Sequence, residues 1–478
     1  MRYLRGNSRH QQSFLSIDDQ IGKSNVVRLI DEICEQFCET VTIEKGLKDT
    51  GRKAYHPADL MKILVYGYFN GLSSSRKLER EVQRNIELKW LTSDLVPDHK
   101  TISDFRKDNP ELIDSLFKYL IGRFKKEGLV TGKAITVDGT KVKAYASREL
   151  NIDWIRQKLD GIEQQIEKYL KDIDVIDRHE DDIEELENKR AELQKELEEL
   201  AAKKKDYQQL EQHLQDKGLK RISTTDTDSK VMKGRNGTFW GFNAQAAVDT
   251  QSHIITSIKV SNNQNDKGLL TPMVEASQEN TGEKVKEVSA DAGYYKINEI
   301  EKLEEQGVEC YVAINVSQSQ VKDKEQGLQF TYLPEEDRYL CGEGRSLKYF
   351  RKKENADGKL VKVYKGTECH HCSIREKCTN AEQRSVHRNE NQEYIESYIE
   401  KMNSPKGKNK LKSRKTIAEH PFGTIKYSMG QIPLLVRGKQ KVQTEMNLYA
   451  IGYNLKRYLK IKSDKNKRPS TTTMRMAA

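Results

Sequence analysis

The sequence predicts a mixed α/β protein with an all-helical N-terminal region, and three observations support this class. Helix signals dominate residues 25–130. Residues 153–215 carry the 4-3 apolar spacing of packed helices. On either side of them, strand-like and helix-like stretches follow in the order strand, hairpin, helix, strand, helix, strand. Because 478 residues are too many for one ordinary core, two to four structural units are expected.

Charge and cysteine content restrict the class of protein further. The formal net charge is +10, which favours an anionic partner, most commonly nucleic acid. The chain has no run of 18 apolar residues, and its first 14 residues lack the apolar centre of a signal peptide. Seven cysteines, four of them in one segment, indicate reduced thiols. The prediction is a cytoplasmic, nucleoid-associated protein without a membrane segment.

Residues 1–130 are interpreted as a helical DNA-binding domain. Pro57 fits the first turn of one helix, and the serines at 73–75 can cap the next. Pro110 opens a later helix that Gly128 closes. Several short helices with basic and hydroxyl residues suit a helix-turn-helix-like DNA reader, and a plain helical bundle is the alternative.

Residues 152–216 are predicted to form an inserted helical coiled coil. Apolar residues recur in two series that fall out of phase across DRHEDD at 177–182, so two antiparallel helices with a turn there are expected. The first series is Ile155, Leu159, Ile162, Ile166, Tyr169, Ile173 and Ile176, and the second is Ile183, Leu186, Leu193, Leu197, Leu200 and Tyr207.

Two strand-like segments end abruptly in an aspartate. The strand-like part of AITVDG ends at Asp138, and that of VSADAG ends at Asp291. If these strands are parallel neighbours about 4.8 Å apart, the two carboxylates converge. Like charges that close repel, unless one takes a proton or a divalent cation lies between them. Mg²⁺ prefers oxygen ligands, and a pair of metal ions can promote phosphoryl transfer, so a third carboxylate would complete such a site.

Three segments in this order resemble the DDE transposases of bacterial insertion sequences, whose catalytic core has the ribonuclease H-like fold. ITVDGTKVKAYAS resembles the first-aspartate segment and VSADAGYY the second. RKTIAEHPFGTIKYSMG, followed by LLVRGKQKVQTEMNLYAIGYNLKR, resembles the glutamate segment and the helix after it. The helical region at 55–125 resembles the N-terminal domain of one branch of these enzymes. The resemblance implies a ribonuclease H-like catalytic domain at 131–460.

The resemblance also implies the residues of the active site. Asp138, Asp291 and Glu419 would be the catalytic triad and would hold Mg²⁺ or Mn²⁺. Pro421 favours a first helical turn, so Glu419 is expected near the start of a helix. Glu445 is placed on the following helix, outside the metal site, where its loss should matter less.

Basic residues near Glu419 are candidates for DNA contact. Related enzymes often carry a Tyr-Arg-Glu-Lys signature around the glutamate. Lys426 matches its lysine and would contact a DNA phosphate, Arg414 lies one place before the arginine position held by Lys415, and Lys412 holds the tyrosine position. The basic residues at 461–478 are interpreted as a flexible tail.

Four cysteines mark residues 325–400 as a Cys-rich, zinc-ribbon-like insertion. Cys341, Cys369, Cys372 and Cys378 have the spacing C-x27-C-x2-C-x5-C. A hairpin-like stretch with its turn at Asp357-Gly358 lies between the first two. Four thiolates brought together in this way suit tetrahedral Zn²⁺, and the alternative is reduced thiols that pack a small subdomain.

Together these inferences predict a transposase that cleaves DNA and transfers strands at the ends of its own insertion sequence, with a divalent metal. Its partners would be double-stranded DNA, as terminal inverted repeats and as target DNA, and further copies of itself. Two alternatives remain open. One is a metal-dependent nuclease that does not join strands, and the other is an inactive, zinc-stabilised DNA-binding regulator.

Overall fold

The computed structural model describes residues 16–41, 54–146, 149–177, 184–216, 218–234, 237–314, 327–354, 360–429 and 434–467. Residues 178–182 of the turn predicted at 177–182 and the turn predicted at Asp357-Gly358 lie outside these ranges, as do residues 468–478 of the predicted tail. The flexible tail was predicted to begin at residue 461, which is wrong, because residues 461–467 are helical. Within the described ranges, no helix combines the length and apolarity needed to cross a membrane.

The helices and strands of the described residues follow one another in three groups along the chain. The N-terminal helices are α1 Val26–Thr40, α2 Pro57–Phe69, α3 Ser75–Arg84, α4 Ile86–Thr92, α5 His99–Asp108 and α6 Pro110–Lys126. Next come β1 Ala134–Lys143, β2 Glu149–Asn151, α7 Ile152–Asp177, α8 Glu184–Asp216, β3 Arg221–Ser223, β4 Lys230–Gly234, β5 Gly237–Asp249, β6 Ile255–Ser261, α9 Leu270–Thr281, β7 Glu287–Ala290, α10 Ile297–Glu305 and β8 Glu309–Val312. The last are β9 Phe330–Leu333, β10 Arg338–Cys341, β11 Ser346–Glu354, β12 Leu360–Gly366, α11 Arg375–Cys378, β13 Ser385–Asn389, α12 Gln392–Asn403, α13 Pro405–Gly423 and α14 Lys439–Lys467.

Local capping explains where the N-terminal helices begin and end. Pro57 occupies the first turn of α2, and Gly128 takes a left-handed conformation after α6, as predicted. The single helix predicted after residue 75 is two helices, because Asn85 leaves the helical conformation and its side chain accepts a hydrogen bond from the Glu87 amide of α4.

The main sheet has mixed strand directions. β1 pairs antiparallel with β5 and parallel with β7, and β7 pairs parallel with β8. β6 and β4 both pair antiparallel with β5. The predicted order of strand, hairpin, helix, strand, helix, strand is confirmed by β1, β5–β6, α9, β7, α10 and β8. β1 does not end at Asp138, however, because its ladder with β5 continues to Lys143 while its ladder with β7 stops at Thr136.

Apolar residues cover both faces of this sheet. One face packs with the N-terminal helices and α14, through Ala244, Ala246 and Val248 of β5. The other packs with α9 and α10, through Ile135 and Val137 of β1. Because neighbouring residues of a strand point to opposite faces, even-numbered and odd-numbered positions of β1 separate between these two cores.

The inserted helices α7 and α8 run antiparallel, as predicted. Trp154 packs edge-on against Tyr207, and Glu163 forms an ion pair with Lys204 at 2.8 Å. The described residues of both predicted apolar series are mostly buried or half-buried, while most of their neighbours are exposed. The short β2–β3 ladder closes the base of this helical pair.

A second, five-stranded antiparallel sheet lies between β8 and α12. Its order is β13-β12-β11-β10-β9, and β11 and β12 are the predicted hairpin strands. Tyr339, Leu347 and Tyr364 form its small apolar core.

Candidate active site

Strand register places the first two predicted acids side by side. In the parallel β1–β7 ladder Thr136 pairs with Ser289, and Asp138 and Asp291 each follow two residues later. The hydroxyls of Thr136 and Ser289 are 2.9 Å apart and buried, which fixes the two strands just before the acids. Residues two apart in a strand share a face, so both carboxylates belong to the same face of the sheet.

Asp138 lies in a partly buried, electrostatically strained position. Its side chain is 19% exposed, and an Oδ1 atom lies 3.8 Å from the Arg414 guanidinium of α13. Burial raises the pKa of Asp138 to about 7, and the negative charges of Asp291 and Asp266 act in the same direction, while Arg414 opposes the rise. The charge of Asp138 is therefore only partly compensated by neighbouring protein groups.

Asp291 is held by the backbone that follows it. Its Oδ1 accepts a hydrogen bond of 2.8 Å from the Gly293 amide and so caps a short 3-10 turn, Ala292–Tyr294. A Cβ atom at position 293 would crowd Asp291 Oδ1 and Asp266 Oδ2, which explains the glycine in the sequence DAG. The turn fixes the carboxylate at the end of β7.

A third aspartate, Asp266, lies at the same site and was missed by sequence reasoning. Its Oδ1 accepts hydrogen bonds from Asn243 and Gln245 of β5, at 2.7 and 2.9 Å. The segment SNNQNDKG that contains it has no apolar periodicity, so its position just after the predicted hairpin was the only available signal.

The structure does not place Glu419 against these aspartates. Glu419 lies on α13 with an exposed side chain. Among the residues that the structure describes, no three histidine, cysteine, aspartate or glutamate side chains are close enough to hold one metal ion. The expected place of Glu419 at a helix start is wrong, because Ser404 caps α13 at Pro405 and Pro421 lies inside the helix. A π-helical turn, Thr424–Ser428, follows directly.

The four predicted DNA-contacting cations differ in their surroundings. Arg414 is only 12% exposed and points toward Asp138. Lys426 donates a hydrogen bond of 2.5 Å to the Thr140 hydroxyl, two residues beyond Asp138 on β1. Lys412 and Lys415 are exposed on α13. The structure therefore brings Arg414 and Lys426 to the first acid and leaves the other two on the surface.

The four cysteines of the predicted insertion line one cavity of about 290 Å³, beside the second sheet. All four are half-buried, and none of them forms a disulfide. The Sγ atom of Cys369 accepts a hydrogen bond of 3.5 Å from the Arg384 amide. The structure thus brings Cys341, which is distant in sequence, to the same cavity as Cys369, Cys372 and Cys378.

Two family models match the chain. A transposase domain (DUF772) matches residues 15–108, and a transposase DDE domain matches residues 340–459. Both matches support a DDE transposase of an insertion element. No curated protein and no solved structure gives a significant match to this transposase.

These matches confirm the resemblance drawn from the sequence. Members of the family bind DNA and generally use divalent metal ions. The DDE match covers Glu419 and Lys426 of the transposase and all four cysteines of the cavity. Asp138 and Asp291 lie outside both matched ranges, so their assignment rests on strand geometry.

Proposed function

We propose that this transposase cleaves DNA at the ends of its insertion sequence and joins the freed ends to target DNA, in a ribonuclease H-like catalytic domain. The observation that carries the proposal is the β1–β7 register, which sets the Asp138 carboxyl beside that of Asp291. The strand order β6-β5-β1-β7-β8, with β7 and β8 parallel to β1, agrees with this core.

The donor set fits a divalent cation. Carboxylate oxygens are the ligands that Mg²⁺ prefers, and the raised pKa of Asp138 reflects a buried charge that an added cation would compensate. Asp138 and Asp291 would hold it, and Glu419 of α13 would have to move closer to them to complete the set. When bound, such ions activate the attacking oxygen and stabilise the leaving oxygen in phosphoryl transfer.

The chain's own residues would position the phosphodiester. In the first step water attacks the phosphate at the element end, and the element's 3′-oxygen leaves as a hydroxyl. In the second step this hydroxyl attacks a phosphate of the target DNA, and the 3′-oxygen of the target strand leaves as a hydroxyl. Lys426, held beside Asp138 through Thr140, can contact a phosphate oxygen at this point. The preceding helices, residues 1–130, would recognise the element ends.

The test is Mg²⁺-dependent cleavage and strand transfer on a duplex that carries the element end. Alanine variants of Asp138, Asp291 and Glu419 should each abolish both reactions and retain DNA binding, because phosphate contacts come from lysine and arginine. Glu400→Ala, on α12 away from these acids, is the matched control. Near wild-type cleavage by any of the three variants would remove that residue from the triad.

The same assay separates the two alternative functions. Cleavage without joined products would indicate a nuclease, and DNA binding without cleavage would indicate an inactive regulator. Glu445 is unsuitable as the control acid, because its side chain is fully buried and its loss would disturb folding.

We also propose a structural Zn²⁺ site at the cysteine cavity, where the four thiols would have to draw together around the ion, since no three of them lie close enough to hold it as described. All four thiols line the cavity, whereas His370 and His371 do not, so the cysteines are the better ligand set. Purified protein should then carry about one zinc per chain, and Cys369→Ser with Cys372→Ser should lose it. Protein purified under reducing conditions without chelators and found free of zinc would favour the alternative of packed, reduced thiols.

A further inference from the structure

Two polar side chains interrupt the apolar interior of the central strand β5. Asn243 and Gln245 are 0% and 1% exposed, on a strand whose neighbouring residues are alanine, phenylalanine and valine. A buried amide costs free energy unless both its donor and its acceptor are satisfied. The partners of these amides therefore indicate what the polar positions are for.

The Gln245 amide joins three separate segments of the chain. Its Nε2 donates to Asp266 Oδ1 and to Asn243 Oδ1, at 2.9 Å each. Its Oε1 accepts a hydrogen bond from the Tyr294 hydroxyl. Tyr294 is the last residue of the 3-10 turn that Asp291 caps, so the amide connects this turn to the loop after β6.

Asp266 is itself held firmly and lies against the turn. Besides Gln245, its Oδ1 accepts from Asn243 Nδ2 at 2.7 Å and lies 3.5 Å from Lys141 Nζ. A Cβ atom at Gly293 would come within 3.0 Å of both Asp266 Oδ2 and Asp291 Oδ1. The side chains of Asp266 and Asp291 therefore both lie close to Gly293 of the turn.

The glycine after the first aspartate provides the space for this network. Gly139 lies directly opposite Gln245 in the β1–β5 ladder. A Cβ atom at position 139 would overlap the Gln245 side-chain amide. Asp138 and Gly139 point to opposite faces of β1, so the network lies behind the face that presents Asp138.

We propose that Asp266, Gln245 and Tyr294 form a positioning brace that holds the Asp291–Tyr294 turn against the β1–β5 ladder and so keeps the Asp291 carboxylate beside that of Asp138. The brace deepens the proposed function and rests on it, since it serves the same pair of acids. Its three residues act on the reaction through Asp291 and are positioning residues.

The role of Asp266 is tested by comparing two substitutions. Asp266→Asn keeps an oxygen that can accept from Gln245 and Asn243, so cleavage should stay within about tenfold of wild type. Asp266→Ala removes the acceptor and frees the turn. It should lower the cleavage rate about 100-fold, because a displacement of reacting groups by about 1 Å can reduce a rate by that factor. If Asp266→Asn is as inactive as Asp138→Asn, the charge itself is required and the positioning role is overturned.

Reversal of the hydrogen-bond polarity gives a rescue experiment. Gln245→Glu alone sets two carboxylates within hydrogen-bonding distance and should break the brace, because like charges repel and the donor to Asp266 is lost. In the double variant Gln245→Glu with Asp266→Asn, the amide introduced at position 266 can donate to the carboxylate introduced at position 245. Cleavage should then recover at least about tenfold over the Gln245→Glu variant. Absence of recovery would overturn the proposal.

Hydrogen exchange of peptides that cover residues 287–296 provides a readout that does not depend on activity. Exchange should rise in Asp266→Ala and in Gln245→Glu, and it should return toward wild type in the double variant. Gly139→Ala should raise it as well, without changing any ionisable group. These comparisons hold even if the wild-type protein cleaves no DNA, so failure of the brace and failure of the proposed function are distinguishable. Unchanged exchange in all single variants would overturn the brace.

Discussion

The negative charge of the Asp138 carboxylate is only partly compensated by its surroundings. It is mostly buried, it faces a second aspartate, and Arg414 lies 3.8 Å from it. These surroundings raise its pKa to about 7, chiefly through loss of hydration. A site in which the ionised carboxylate is destabilised by burial is suited to a bound cation. The free-energy cost of this ionisation can be measured in metal-free protein.

Asp138→Asn should stabilise the metal-free protein, and more so at higher pH. The folded pKa of about 7 lies above the ordinary value of 3.8, so the folded state holds a proton that the unfolded state releases. The wild type therefore loses stability as the pH rises from about 4 to about 7. The variant should gain on the order of 2 kcal/mol at about pH 8, and less at about pH 5. Denaturant unfolding in chelator at both pH values measures this difference.

An exposed acid provides the comparison for this measurement. Asp206→Asn on α8 removes one negative charge from the surface and should change the free energy of unfolding by less than about 0.5 kcal/mol at either pH. An equal gain for Asp138→Asn at both pH values would contradict the raised pKa.

Sequence reasoning could find Asp138 and Asp291 because each interrupts an apolar strand and each lies near a glycine. It could not find Asp266, which lies in a polar loop where aspartate is unremarkable, nor the reason for Gly139. Both depend on Gln245, whose contacts form only when β5 pairs with β1. Glu445 was judged from its helix alone, and only the packing reveals its burial.

At the scale of elements, α13 connects the acids to the basic surface. Lys406 and Lys410 in its first turns pair with Glu309 of β8 and Glu287 of β7, at 2.7 and 2.6 Å. Arg414 then reaches Asp138, so the helix crosses the parallel strands one after another. Part of the basic run is therefore used to dock the helix on the sheet, which the sequence alone did not indicate.

Replacement of Lys412 and Lys415 by alanine should weaken DNA binding in a salt-dependent manner. Both side chains are exposed, and each phosphate contact contributes about 0.9 to the slope of log K against log salt concentration. The double variant should reduce this slope by about 2. Lys406→Ala with Lys410→Ala is the matched control, because these lysines are paired with Glu309 and Glu287. Equal slopes for both double variants would place the DNA elsewhere.

The helical insertion should be removable without unfolding the catalytic domain. Its two helices return the chain to the β2–β3 ladder, so a short Gly-Ser linker in place of Asp153–Gln215 can close the gap. A shorter excision of residues 164–203 is the milder control. It joins the helices where Glu163 pairs with Lys204 and keeps the apolar base that packs on Ile222.

Thermal unfolding decides this prediction. Both excisions should leave one cooperative transition, and the longer one should lower the melting temperature more, since it exposes Ile222. Loss of cooperative unfolding in the shorter excision would show that the insertion is part of the core.

The elements that sequence patterns predicted best were those with strong apolar periodicity, such as α7 and α8. The five-stranded second sheet was predicted only as one hairpin. β11 carries several lysine and arginine residues, and β9 and β10 have four residues each, so neither alternation nor length identifies them. α13 was misplaced because Pro421 looked like a helix start, whereas Pro405 fills that position.

At the scale of the whole molecule, the N-terminal helices are not independent of the rest. Their buried residues share one apolar cluster with β5, β6 and α14. Phe124 of α6 stacks on Tyr458 of α14, with ring centroids 5.0 Å apart. Deletion of residues 1–130 would expose this cluster, so loss of element-end preference in such a truncation could not be separated from unfolding. Surface substitutions are the better test of DNA recognition by these helices.

A chain of buried hydrogen bonds joins α2 to α14 across this core. The Tyr68 hydroxyl of α2 accepts a hydrogen bond of 3.1 Å from Arg106 and donates one of 3.3 Å to Glu445 of α14. All three side chains are nearly inaccessible to solvent, and burial raises the pKa of Glu445. Glu445 also accepts from the Leu435 amide at 2.9 Å, which fixes the approach to α14.

Tyr68→Phe should therefore destabilise the whole protein, although it removes only one oxygen atom. Arg106 and Glu445 would each lose one buried hydrogen bond, although Arg106 still donates to the Ser73 carbonyl and Glu445 still accepts from the Leu435 amide. A hydrogen bond to a charged group contributes about 1.5–3 kcal/mol. We expect a loss of about 2 kcal/mol in the free energy of unfolding. Tyr119→Phe, whose hydroxyl makes an exposed contact with Gln36, should change it by less than about 0.5 kcal/mol. Because α2 and α14 are joined through this hydroxyl, hydrogen exchange should rise in both helices of the Tyr68 variant. Wild-type stability with unchanged exchange would mean that apolar packing alone holds the N-terminal helices to α14.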